Sequence, residues 1–189
     1  MNDIPLCNLG TMRLSIAPSF VIETPRLILR VLDERDFDSW AAIMMNPQSA
    51  HFLAGPMSRE QSWNSFATAI GHWQLRGFGF FSANLRTDDL RVGFVGPVFP
   101  LGWPGKEVGW QLRREYWGQG LAAEAARGVF QWVRKELRWT EVIHCIHPDN
   151  KNSIALATRL ESRFLRTVKL PVGPPLESVE FHVYGQTFD

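Results

Sequence analysis

The segment from Glu107 to Leu137 constrains the chain more than any other. It reads as a short strand, a glycine turn and a long helix. Glu107 to Leu112 alternates, with Val108, Trp110 and Leu112 on one face and Glu107 and Gln111 on the other. The turn is Tyr116-Trp117-Gly118-Gln119-Gly120. The helix that follows sets Leu121, Ala125, Val129, Trp132 or Val133, and Leu137 along one stripe. Gly118 and Gly120 carry no side chain to hold a ligand off the backbone. The first N–H groups of a helix lack partners within it and lie at its positive end. Together these make an anion site, most often for phosphate, and here for a pyrophosphate.

Several motifs share that logic. The lysine-containing loop GxxxxGK[ST] is absent. Gly118, Gly120 and Ala123 fit the dinucleotide pattern GxGxx[GA], which would make the chain a nicotinamide-dependent oxidoreductase. That pattern calls for an acid about 20 residues on, at the end of the next strand. Glu141 is the nearest candidate, but it stands at the start of the next apolar run. The turn also comes late, after several segments that read as antiparallel strands.

A length of 189 residues suits one domain with a sizeable core. Hydrophobic residues at 45% and charged residues at 21% are in the range of globular proteins. A net charge of +1 gives no reason to expect nucleic acid or an anionic membrane as partner. No run approaches the ~18 apolar residues of a membrane-spanning helix. The N-terminus, with Asp3, lacks the pattern of a secretory signal. Cys7 and Cys145 are the only cysteines, so a reducing cytoplasm is the expected location. Cys145 and His147 are too few for a zinc site, and no metal is expected.

Residues 1–19 show no periodicity and read as an N-terminal arm, with Met12 an alternative start to Met1. Residues 20–189 read as a single domain. Phe20 to Val31 is the first strand and Asp33 to Met45 a helix, followed by a loop from Asn46 to Met57. Ser58 and Gln61 make a capping box for a helix that ends near Gly77. Phe78 to Leu85 and Arg91 to Phe99 form a hairpin around Thr87-Asp88-Asp89. After the central helix come a strand (Glu141 to Ile146), a helix (Ser153 to Leu160) and two strands (Phe164 to Leu170 and Val179 to Gln186). The alternating Val179, Phe181 and Val183 can pair within the chain or across a homodimer. This order gives an α/β class with a mixed sheet and helices on both faces.

Three stretches, taken together, resemble the GNAT N-acetyltransferase superfamily. Trp117-Gly118-Gln119-Gly120-Leu121-Ala122 is similar to its acetyl-CoA loop, [QR]xxGx[GA], with Trp117 in place of the usual Gln or Arg. YWGQG followed by AxEA resembles the branch that includes the ribosomal-protein N-terminal acetyltransferases. Thr24-Pro25-Arg26-Leu27-Ile28-Leu29-Arg30 is similar to that branch's opening strand, and His147-Pro148-Asp149-Asn150-Lys151-Asn152-Ser153 to its PxNxxS segment. The resemblance runs from about Phe20 to the C-terminus. It implies a mostly antiparallel mixed sheet, splayed in the middle.

The resemblance also implies roles. Acetyl-CoA would lie with its pyrophosphate on the backbone of Trp117, Gly118, Gln119, Gly120, Leu121 and Ala122. Its pantetheine would run beside Leu112 and Arg113, with a backbone N–H near Leu112 polarising the thioester. Glu107 matches the acid that would deprotonate an amine acceptor, a peptide N-terminus or a small molecule, for direct attack in a ternary complex. The alternative for Glu107 is a surface ion pair. Asn150 would hold the pantetheine arm and Ser153 would serve the leaving thiolate, unless both are only helix caps. Glu124, in the first turn of the helix, reads as structural. Tyr116 is a weaker acid candidate, while Trp103 and Trp110 would line the acceptor cleft between the Asn46 to Met57 and Leu170 to Ser178 loops. A non-catalytic acyl-CoA-binding protein is a further alternative. One departure stands out: Glu161 occupies the position where the family usually has glycine after the helix, where left-handed geometry would strain it by ~1 kcal/mol.

Overall fold

The computed structural model describes residues 20–53, 55–172 and 177–188. The expected arm at 1–19, and with it the choice between Met1 and Met12, lies outside the described residues.

The opening strand is two strands. β1 (Val21–Glu23) and β2 (Leu27–Val31) pair antiparallel around a turn at Thr24, Pro25 and Arg26. Pro25 has no N–H to give a ladder, so an unbroken strand from Phe20 is ruled out there. A single 3-10 turn over Glu34–Asp36 leads into α1 (Phe37–Met45), and Asp33 caps it. The loop beyond holds a one-turn helix, α2 (Pro47–Ala50), capped by Asn46. α3 (Arg59–Arg76) begins with the expected Ser58 and Gln61 box and stops at Gly77 in left-handed geometry. Then come β3 (Phe81–Leu85), β4 (Arg91–Val98), β5 (Glu107–Leu112), α4 (Leu121–Glu136), β6 (Glu141–Ile146), α5 (Lys151–Arg159), β7 (Arg163–Val172) and β8 (Glu177–Thr187).

All eight strands form one sheet in the order β1-β2-β3-β4-β5-β6-β8-β7. Only β5 and β6 run parallel, because α4 carries the chain back between them. β8 pairs with both β6 and β7, so the Val179, Phe181, Val183 tail is used within the chain. The two faces separate by strand alternation, except that a register shift opposite Ala83 and Asn84 lets Val92 and Val95 of β4 share a face. Val92, Val95 and Val108 pack against Leu121, Ala125, Val129 and Val133 of α4. On the other face Phe94 packs with Trp40, Ile43, Met44 and Phe66 of α1 and α3. Burying such side chains supplies about 1.5–3 kcal/mol each.

A buried ion cluster fixes the start of α1. Asp36 is fully buried and accepts from Arg30 at 2.7 and 2.8 Å, Arg91 at 2.7 Å and Ser82 at 3.0 Å. The second arginine of the opening motif is therefore a structural residue. At the far end of α5, Glu161 does take left-handed geometry, φ 69°. Its N–H donates to Thr158 O at 2.9 Å, and that of Ser162 donates to Ala157 O at 3.0 Å. This is the double bond pattern of a glycine-ended helix, kept without glycine.

Candidate active site

β5 and β6 share a single paired position, Glu107 with Ile143. The Ile143 N–H still donates to Lys106 O at 2.9 Å. Beyond it the strands diverge, and side chains replace the ladder. The Cys145 N–H donates to Glu107 Oε1 at 3.0 Å. Val108 O accepts from His144 Nδ1 at 2.7 Å, which leaves His144 Nε2 to accept from Ser162 Oγ at 3.0 Å. Burial pushes the His144 pKa down to about 4, so the ring is a neutral wedge.

The main-chain groups of Lys106 and Val108 face β6, whereas the Arg113 N–H meets Val92 O of β4 at 2.9 Å. Alternation along the strand therefore turns the N–H groups of Trp110 and Leu112 into the opening. A cleft of 1230 Å³ follows this opening from the glycine turn of α4 to the residues around α1 and α2.

At one end of the cleft, Gly118 and Gly120 have φ of 74° and 76°. Both glycines answer to backbone shape; a β-carbon at Gly118 would meet nothing within 4 Å, and one at Gly120 would lie 3.6 Å from the Arg26 guanidinium. Gly120 is the N-cap of α4 and no side chain caps the helix. Its first N–H groups face outward at the positive end of a 16-residue helix. Gly118, Gly120, Leu121 and Ala122 all line the cleft.

Trp117 explains its own presence. Its indole N–H donates to Leu112 O at 2.7 Å, under the Arg114 guanidinium at 4.8 Å. The ring latches the turn to β5, and only its backbone is left for a ligand. Arg113 pairs with Glu115 at 2.6 Å and uses its N–H on β4, so its side chain and its donor both turn from the opening. The Gln119 amide donates to Glu115 O at 2.9 Å, and its carbonyl accepts from Arg26 at 3.0 Å. Glu124 accepts from the Thr24 hydroxyl at 2.6 Å and from the Arg26 N–H and Nε, both at 2.7 Å. It ties the β1–β2 turn to α4, so two of the sequence motifs are two halves of one clamp. Those contacts hold its carboxyl below the usual range against the opposing effect of desolvation.

Glu107 lies deeper in the same cleft. It is 8% exposed and forms no ion pair among the described residues, which argues against the surface-pair alternative. Burial raises its pKa to about 7, against the bonds from the Cys145 N–H and the Trp103 indole, which favour the charged form. Asn150 caps α5 by accepting from the Ser153 N–H at 3.1 Å, and both residues line the cleft. Ser153 Oγ accepts from the Trp110 indole at 3.3 Å. Trp110 thus belongs to the α5 side of the seam, while Trp103 stands at Glu107. Tyr116 also lines the cleft and stacks near Arg113.

Sequence reasoning missed His144, Cys145, Phe52 and Phe80, all of which build the seam or its walls. A histidine within the apolar run Val142 to Ile146 was the one available signal. Desolvation pushes the Cys145 thiol well up, so it stays protonated beside Glu107.

The chain matches the Acetyltransferase (GNAT) domain model over residues 26–163. It belongs to the GNAT acetyltransferase family. YkkB of Bacillus subtilis (strain 168) is 26% identical over 156 residues, covering 77% of this chain and 87% of YkkB. A crystal structure of an acetyltransferase from Agrobacterium tumefaciens str. C58 superposes with a TM-score of 0.77 at 27% identity, covering 89% of this chain and 95% of that one. RimL, a ribosomal L7/L12 alpha-N-protein acetyltransferase solved with coenzyme A, gives a TM-score of 0.73 at 17% identity, covering 90% and 99%. The nicotinamide reading fails on topology: the sheet has one parallel pair, and Glu141 opens β6 at the end remote from the glycine turn.

Proposed function

We propose that this GNAT acetyltransferase moves the acetyl group of acetyl-CoA to a primary amine by direct attack in a ternary complex. The observation that carries the reading is one continuous cleft joining the open glycine turn of α4 to the buried Glu107 carboxylate. The uncapped α4 N-terminus and the open space above Gly118 fit a pyrophosphate on the backbone of Trp117 to Ala122. The divergence of β5 and β6 fits an extended pantetheine arm, with Asn150 and Leu112 on its walls. RimL, which shares the fold, was solved with coenzyme A, and this supports the same choice.

Bound there, acetyl-CoA would supply an activated acyl group. The chain supplies the rest. The Leu112 N–H, turned into the seam, is a fixed dipole for a developing oxyanion. Glu107, half ionised near neutrality, takes the proton from an ammonium through water. The Ser153 hydroxyl, its oxygen anchored by Trp110, is a hydrogen-bond donor that stabilises a thiolate on the α5 wall.

Replacing Gly120 by valine tests the site. At φ 76° a β-branched residue is strained, and its side chain covers the turn. Calorimetric affinity for CoA is expected to fall by roughly 100-fold or more, with cooperative melting retained. A folded variant that binds CoA as tightly as the parent refutes the site. Thiol release across an amine panel separates an enzyme from a protein that only binds acyl-CoA.

A further inference from the structure

Beyond the glycine turn, the cleft has a second half whose chemistry names a kind of acceptor. We infer that the acceptor is a monoamine carried on an aromatic or bulky apolar body, an inference that rests on the acetyltransferase reading above.

The walls of that half come from Trp40, Met44, Phe52, Phe80, Trp103 and Phe181. Phe80 and Glu107 converge on one point of β5. A β-carbon at Gly109 would lie 3.3 Å from the Phe80 ring and 4.0 Å from Glu107 Oε1. The Phe80 ring thus lies near the same point as the carboxylate, to which the Trp103 indole donates. A carboxylate among aromatic rings holds one ammonium by charge and by the ring faces.

Two polar groups of this half are already engaged, while Gln48, Ser49, His51 and Gln111 also line the cleft. His72 donates through Nδ1 to Phe78 O at 2.7 Å and accepts the Phe99 N–H on Nε2 at 3.0 Å, so it is a neutral tautomer with both nitrogens used. The Trp40 indole donates to Ser65 Oγ at 2.8 Å. Among the described residues that line the cleft, Glu107 is the only carboxylate, while Arg114 and Arg159 are cations on the same lining. A second ammonium on the acceptor would be stripped of water with no acid to meet it. A polar body would face rings over most of this wall, where its own hydrogen-bonding groups find no partner. Phe52, tilted over His147 at 5.1 Å, closes this half from the loop after α2 and sets room for the body.

The test is a set of kcat/KM values, with the acetylated product confirmed by mass spectrometry. The acceptors are 2-phenylethylamine, spermidine, kanamycin and a pentapeptide of serine and glycine. 2-Phenylethylamine is expected to exceed each of the others by roughly 100-fold. Phe52→Ala is expected to raise its KM roughly tenfold and to leave CoA affinity unchanged. Equal or better use of spermidine, kanamycin or the peptide overturns the inference and leaves the acetyltransferase reading standing. So does a folded Phe52→Ala protein with unchanged KM; CoA binding without turnover of any amine here overturns it too, and favours a protein that only binds acyl-CoA. Failure to bind CoA at all removes the acetyltransferase site itself.

Discussion

Glu107→Gln separates a base from a strut. The pKa near 7 means that about half of the carboxylate is ionised at pH 7, about a tenth at pH 6 and about a hundredth at pH 5. If the ionised form takes the proton, kcat falls about tenfold per pH unit below 7. A glutamate at the ordinary 4.5 would leave the rate flat down to about pH 5. Glutamine keeps the shape, and an Oε1 to accept from Cys145, but cannot take a proton. Its kcat at pH 7 is expected to be lower by roughly 10²-fold, with CoA affinity unchanged. The gap to wild type narrows on both sides: below pH 6 the parent loses its base, and at high pH the amine arrives free. The assay is steady-state thiol release from pH 5 to 9 with the acceptor of highest kcat/KM. A second readout needs no acceptor. The folded state holds a proton between about pH 4.5 and 7 that the unfolded chain has lost. Stability from this group is therefore full below 4.5 and declines as pH rises through 7, by about 3 kcal/mol over the window. The difference in melting between variant and parent should shift in the variant's favour by that amount from pH 4.5 to 8. Full turnover by Glu107→Gln at pH 7, or a parent profile flat to pH 5, refutes the assignment of Glu107 as base.

Two further outcomes concern stability. Glu161→Gly relieves left-handed strain while keeping both terminal bonds of α5. It is expected to stabilise by about 1 kcal/mol, raising Tm by about 2–4 °C in a calorimetric scan, and a lower Tm would contradict the strain. Asp36→Ala leaves Arg30 and Arg91 partly buried without their shared carboxylate. A loss of about 3 kcal/mol in urea unfolding is expected, and a change below about 0.5 kcal/mol would mean that the cluster contributes nothing net.

What the sequence made legible was local. The glycine turn, the Ser58 box and the alternation of β5 depend on neighbours within a few residues, and each sits where the pattern put it. Pro25 carried the break between β1 and β2, but an apolar run on both sides masked it. The helix after Asn150 was placed two residues late because Asn150, and not a later residue, is its cap. The walls of the cleft were out of reach for a different reason. Phe52, Phe80 and Phe181 come from three separate segments, and only the folded sheet brings them to Glu107 beside the expected Trp103. His144 was invisible as a wedge because its partner, Val108 O, exists as a free acceptor only once the strands have parted.

That parting also divides the sheet into two leaves. β1 to β5 form one leaf and β6 to β8 the other, with one paired position between them and two side chains as the remaining stitches. His144 is a passive stitch, neutral across the working range. Glu107 is not, since a neutral carboxyl accepts an N–H more weakly than a charged one. The Cys145 N–H therefore binds most strongly where Glu107 is ionised, and the group expected to deprotonate the amine is also one of the stitches across the seam.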